Sequence, residues 1–203
     1  MNPTASPLLW AGIIAAALFI VVTIIEIFAR PGFSIQRHAI SMLSLGERGW
    51  VMAGTFILSG ALVLLFAFGF FQASGAVIVT ILFALYGAGL ILAGIFPAPA
   101  GLGFPPGTPE DMQPIMDRGA TIHSIAFMLA FGALILSCFA LGLHFWQAGM
   151  MGAAITALII GIAIPVFIGS GMASIIPTGI GFYIAAVLAW VAIVVAAGPY
   201  LLG

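Results

Sequence analysis

"LLWAGIIAAALFIVVTIIEIFA" occupies positions 8–29 and contains one ionisable side chain, Glu26. A helix that crosses the hydrocarbon core of a bilayer needs about 20 mainly apolar residues. This stretch meets that length, and its lack of strict alternation argues against the strand of a membrane barrel. It is also too long, and has no basic residue before it, to suit a cleavable secretory leader, so it reads as a retained span. Working outward, five further stretches qualify: 50–71, 75–96, 119–145, 150–170 and 179–202. The expected fold is all-α, a six-transmembrane-helix bundle forming a single membrane domain over 1–203. Glycine and alanine recur inside the spans, as in "LYGAGLILAG", and allow close approach of helix backbones. Pro165 lacks the donor for the preceding turn and predicts a kink in the fifth helix.

Composition agrees with this assignment. Hydrophobic residues make up 64% of the chain and charged residues 4%, against roughly a quarter charged in soluble domains. Such a chain cannot cover its surface with polar groups, so its solvent must be lipid. The formal net charge of −1 excludes the basic surface that nucleic-acid binding needs. Lysine is absent, and the four cations are Arg30, Arg37, Arg48 and Arg118. Cys138 is the sole cysteine, so no intramolecular disulfide can form; it reads as a small core residue.

The connections alternate in character. "QAS" and "WQAG" are tight turns, whereas the connections after helices one, three and five are longer. With six spans those three loops lie on one side, and every charged side chain lies there too: Glu26 and Arg30 at the end of helix one, Arg37, Glu47 and Arg48 in the first loop, and Glu110, Asp111, Asp117 and Arg118 before helix four. One face carries polar chemistry and the other is closed by short turns.

The first loop contains "FSIQRHAISMLSL", 33–45. Advancing ~100° per residue puts Ser34, Arg37, Ser41, Ser44 and Arg48 within an arc of roughly 80°. Ile35, Ala39, Met42 and Leu43 cluster opposite. The pattern predicts an amphipathic helix over 34–45, with Ser34 as N-cap. It would lie at the headgroups or fold over the mouth of the bundle as a lid.

Three short runs resemble the domain-of-unknown-function 998 family of bacterial and archaeal six-helix membrane proteins. These are Pro31, Gly32, Arg37, His38, Ser41 and Leu43 after helix one; Gly94, Phe96 and Pro97 at the end of helix three; and Gly119 and His123 opening helix four. The resemblance implies the six-span plan but no reaction. Members often carry an aspartate after Phe-Pro, where this chain has Ala98-Pro99; if that acid matters, Glu110, Asp111 or Asp117 would have to substitute.

The candidate ligand- or headgroup-binding residues are Arg37, His38, Ser41, Ser44, Arg118 and His123. Catalytic candidates are His38, Ser41 and His123, either as a His38–Ser41 pair or with His123 reaching Ser41. Glu26 and Arg30 have i, i+4 spacing and read as a structural ion pair. Asp117 can cap helix four. His144 lies at the far end of helix four, away from the other histidines, while Tyr86, Ser170, Ser174 and Tyr183 are scattered. No metal centre and no cofactor are expected, although two histidines with Glu26 or Asp117 could be drawn as a ligand set.

Three functions follow. The first is a non-enzymatic protein that binds a lipid or apolar ligand, or a subunit of a larger membrane complex. The second is a membrane-embedded hydrolase or transferase acting on a lipid. The third is a small transporter, disfavoured because the chargeless turns offer no polar path. Expected partners are membrane lipids, with other integral membrane proteins or self-association possible, in a bacterial inner membrane. Counting arginines places the long loops in the cytoplasm; the resemblance implies the reverse, with cytoplasmic termini, and is preferred.

Overall fold

The computed structural model describes residues 5–202, with side chains from residue 7 onward. Six long helices follow one another: α1 (Ala5–Ala29), α2 (Gly49–Ser74), α3 (Val77–Ile95), α4 (Arg118–Gln147), α5 (Met151–Met172) and α6 (Thr178–Leu202). All six are long and apolar enough to cross a membrane, so the chain is a multi-pass membrane protein. The observed helices match the expected spans to within three residues at each end. α5 runs through Pro165 without interruption.

Each helix packs chiefly on its neighbours in sequence, and α6 returns to α1, closing a ring. Small residues set the separations. A Cβ at Gly60 would lie 2.6 Å from the Gly87 carbonyl oxygen, so α2 and α3 are in near backbone contact there. Between α4 and α5 the close approach falls at Gly142 and Gly161, which face Leu158 and Cys138. Those contacts belong to the halves near the 147–151 turn. Toward the long loops α4 packs on α3, where Gly89 meets Ala126 and Ala130, whereas α5 packs on α6, where Gly171 meets Gly181.

The first loop departs from expectation. The segment 34–45 is not a continuous amphipathic helix. It makes one turn, with the Arg37 and His38 amides donating to the Ser34 carbonyl, then becomes extended at Ala39 (φ −69°, ψ 152°) before a 3-10 helix, Ile40–Ser44. The Ser34 side chain makes no cap; its amide donates to His38 Nδ1 at 2.9 Å. This local side chain to backbone bond competes with helix propagation. The apolar face drawn from the periodicity holds only in part: Met42 and Leu43 are buried, Ile35 is 44% exposed, and His38, on the boundary, is fully buried.

Candidate functional site

The two longer loops fold onto each other. His38 Nδ1 accepts the Ser34 amide, which leaves the ring proton on Nε2, and that atom donates to the Leu102 carbonyl at 2.9 Å. Both ring nitrogens are thus committed to backbone. The His38 ring also packs against Phe33 and Phe104, at 5.2 and 5.3 Å between centroids. Loop 96–117 is braced by bonds from the Leu102 amide to the Met112 carbonyl (2.7 Å) and from Ile115 to Ala100 (2.9 Å). The two loops thus form one hydrogen-bonded roof over the bundle.

Arginines fasten that roof to α1. Arg30 is 7% exposed, donates to the Leu43 carbonyl at 3.0 Å and to that of Leu45, and lies over the Phe104 ring at 5.3 Å. The expected Glu26–Arg30 pair is present at 3.7 Å, but Glu26 makes its shorter contact, 2.5 Å, with Arg48. Glu26 is a shared counter-ion at the junction of α1, the first loop and α2. Its carboxylate holds the Arg48 guanidinium above its usual pKa, first through the hydrogen bond and then through charge attraction.

Beneath the roof is a cavity of about 290 Å³. Its inner wall consists of Phe19 from α1, Phe56 from α2, and Tyr86, Gly89, Leu90 and Ala93 from α3. α4 contributes His123, Ser124, Phe127 and Phe131; α6 contributes Thr178, Phe182, Ala186 and Trp190. No lining residue comes from α5. The roof adds Arg37, Ser41 and Leu102 among others. The lining is thus mostly apolar and aromatic with a few polar groups, the usual makeup of a small-molecule site.

His123 is 4% exposed, and its Nδ1 lies 3.1 Å from the Ala93 carbonyl and 2.9 Å from that of Phe96. Carbonyls only accept, so Nδ1 carries the proton and Nε2 keeps its lone pair. The bond meets the orphan carbonyls at the end of α3 and ties two of the recognised sequence runs together. Gly119 has the same use, since a Cβ there would stand 3.2 Å from Pro97.

Of the residues singled out from sequence, Arg37, Ser41 and His123 meet at the cavity. His38 stands behind the roof as a brace. Ser44 donates to the Ser41 carbonyl at 2.7 Å, and Arg118 is exposed at the start of α4 outside the lining. A His38–Ser41 pair is not formed, because both His38 nitrogens are engaged elsewhere. Asp117 caps α4, accepting from the Ala120 amide at 2.8 Å. Glu110 stands 3.4 Å from Arg37 across the two loops. Among the described residues no three of His, Cys, Asp and Glu converge as metal ligands. Sequence reasoning did not assign Tyr86 and Trp190 to a site; both are buried, and their rings lie 6.0 Å apart on the cavity wall. Nothing in one helix's pattern separates a cavity-lining aromatic from a core one.

Six membrane helices around a roofed cavity define the class: a polytopic α-helical membrane protein with its polar groups on one side. The family described as "Protein of unknown function (DUF998)" matches residues 13–202, and the chain belongs to that family. No curated protein and no solved structure matches it significantly. The residues carrying the family resemblance are those that build the roof and join it to α3 and α4.

Proposed function

We propose that the protein is a non-enzymatic binder that holds an amphipathic, membrane-dissolved molecule in this cavity. The observation that carries the reading is the cavity itself, roofed by two hydrogen-bonded loops and lined by aromatic walls below Arg37, Ser41 and His123. A buried space bounded by such different chemistry at its two ends suits a ligand with a polar head and an apolar tail. The proposed setting is the inner membrane of a bacterium, with cytoplasmic termini and the roofed face outside. Accessibility labelling of single cysteines in a Cys138→Ala background tests that orientation.

Native mass spectrometry of the protein released from membranes in mild detergent tests the binding. A stoichiometric small-molecule adduct that is lost in Ala186→Phe, which fills the cavity, is the expected result. A bare chain, or one released only with other proteins attached, would favour a complex subunit instead. A second reading, a lipid-directed enzyme, draws on Ser41 and the unprotonated His123 Nε2 lining one cavity. Under it, His123→Gln would abolish turnover and accumulate an unprocessed adduct; under the binding reading the adduct is the same in both proteins.

A further inference from the structure

The cavity has a directional pattern of burial. The lining residues of α1, α2 and α3 are all buried: Tyr86 is 2% exposed, Phe19 and Leu90 are 5%, and Phe56 is 7%. Among the helical walls the partly exposed lining residues lie opposite, at Ser124, Phe127 and Phe131 on α4 and Thr178, Phe182 and Ala186 on α6, while in the roof Ser41 and Leu102 are partly exposed and Arg37 is exposed. α4 and α6 touch only sparsely, far less than either packs on α5, and α5 does not reach the lining. Among the helical walls the most accessible part of the cavity therefore lies at the loop-side halves of α4 and α6. An edge-to-face contact between Phe127 and Phe182, 5.6 Å between centroids, spans it. Above, the roof is joined to α6 through the Gly179 amide, which donates to the Gln36 carbonyl at 3.0 Å.

Depth and charge narrow the occupant. Along α6 the cavity runs from Thr178 to Trp190, twelve residues and so about 18 Å at the helical rise. That carries it from the interface to about the middle of a hydrocarbon core of ~30 Å. Arg37 is the one charged residue in the lining. Its counter-ion, Glu110, is 82% exposed at a long 3.4 Å, a weak pair that an anion on the ligand can displace.

Building on the binding reading above, we propose that the occupant is a single-chain lipid with an anionic head. It enters sideways from the bilayer between Phe127 and Phe182, lays its chain against Trp190 and leaves its head, a carboxylate or a phosphate, on Arg37 in place of Glu110. Water-soluble ligands are not admitted by this route.

The test uses the full chain in uncharged detergent with Trp10, Trp50 and Trp146 changed to Phe, so that Trp190 alone reports. Dibromostearate, a lysophosphatidate with the same brominated chain, and the corresponding neutral monoacylglycerol serve as quenchers. The expected result is saturable quenching by one or both anionic probes at about tenfold lower concentration than the neutral one, the factor appropriate to a charge-assisted hydrogen bond. Their relative strength tells a carboxylate head from a phosphate head. Arg37→Gln should bring the anionic probes to the level of the neutral one. Phe127→Ala should speed the onset of quenching severalfold, and Ala186→Phe should abolish it. Equal quenching by all three probes, or no effect of Arg37→Gln, overturns the anionic head while leaving a ligand-binding cavity in place. Undiminished quenching in Ala186→Phe overturns the route. No quenching of Trp190 by any probe, when a chain retaining only Trp50 is quenched, overturns both the inference and the binding reading.

Discussion

The two halves of this bundle are made from the same helices and meet the same lipid, yet they are packed differently. On the side of the short turns, Phe66, Phe70, Phe83 and Phe145 are all fully buried, and the ring of Phe70 lies 5.6 Å from those of both Phe83 and Tyr200. Gly69 lets α2 meet α1 at Leu8, where a Cβ would come within 2.5 Å. The side-chain bond from His144 to Tyr200, 2.8 Å, joins α4 to α6 there. On the loop side the ion pairs, the two hydrogen-bonded loops and the cavity lie together. Association of helices in lipid relies on packing rather than on a hydrophobic drive. The turn side therefore supplies cohesion, and the loop side can leave space because Glu26, Arg30 and His38 hold its frame by polar bonds instead.

That contrast can be broken by substitution. The largest difference should separate two phenylalanines. Phe70→Ala removes a fully buried ring from the solid half and should cost about 3 kcal/mol, whereas Phe127→Ala borders existing space and should cost less than about 1 kcal/mol. Melting in detergent, followed by size exclusion, compares them; equal losses would mean that the halves are not packed differently. Glu26→Ala comes next. It strips a buried carboxylate from Arg30, and breaking a buried pair costs roughly 3 kcal/mol, with loosening of both loops seen as faster proteolysis within 96–117. His38→Ala should follow at about 2 kcal/mol, since it leaves the Ser34 amide and the Leu102 carbonyl without partners. Enlarging a side chain sharpens the comparison from the other direction. Ala157→Leu on the turn side should destabilise by about 1–3 kcal/mol through overpacking, while Ala186→Leu, which grows into the cavity, should be tolerated or slightly stabilising. Smallest of all, Glu110→Gln should leave the melting temperature where it was, because the Arg37–Glu110 pair is exposed and such pairs contribute little.

The six helices were legible in the sequence because the bilayer imposes a length and an apolar composition on each span separately. The one-sided placement of charge was legible for the same reason, since span parity assigns each loop to a side. The first loop was not. Its spacing from Ser34 to Arg48 has a helical period, but periodicity reports a helix only where local backbone bonding wins. Here the His38 ring takes the Ser34 amide and reaches across to Leu102, 64 residues away, and the chain leaves the helix at Ala39. His38 accordingly proved to be a brace rather than a lining residue. His123 and Ser41 were visible as unusual polar residues in an apolar chain, and they do line one cavity. The rest of the lining was hidden, because Phe19, Phe56, Tyr86 and Trp190 come from four helices and look like ordinary core residues on each. The difference between core and cavity is set by how closely helices far apart in the sequence approach one another, and that information resides in no single segment.

The measurement that reaches the central claim most directly compares two serines on one helix. Ser124 lines the cavity and Ser137, thirteen residues along α4, is fully buried in the packed half. Each is replaced by cysteine in a Cys138→Ala background, and modification by N-ethylmaleimide is timed in detergent. The account predicts ready labelling at Ser124→Cys, suppressed when Ala186→Phe fills the cavity, and almost none at Ser137→Cys. Equal rates at the two positions, or labelling at Ser124→Cys that ignores Ala186→Phe, would contradict it.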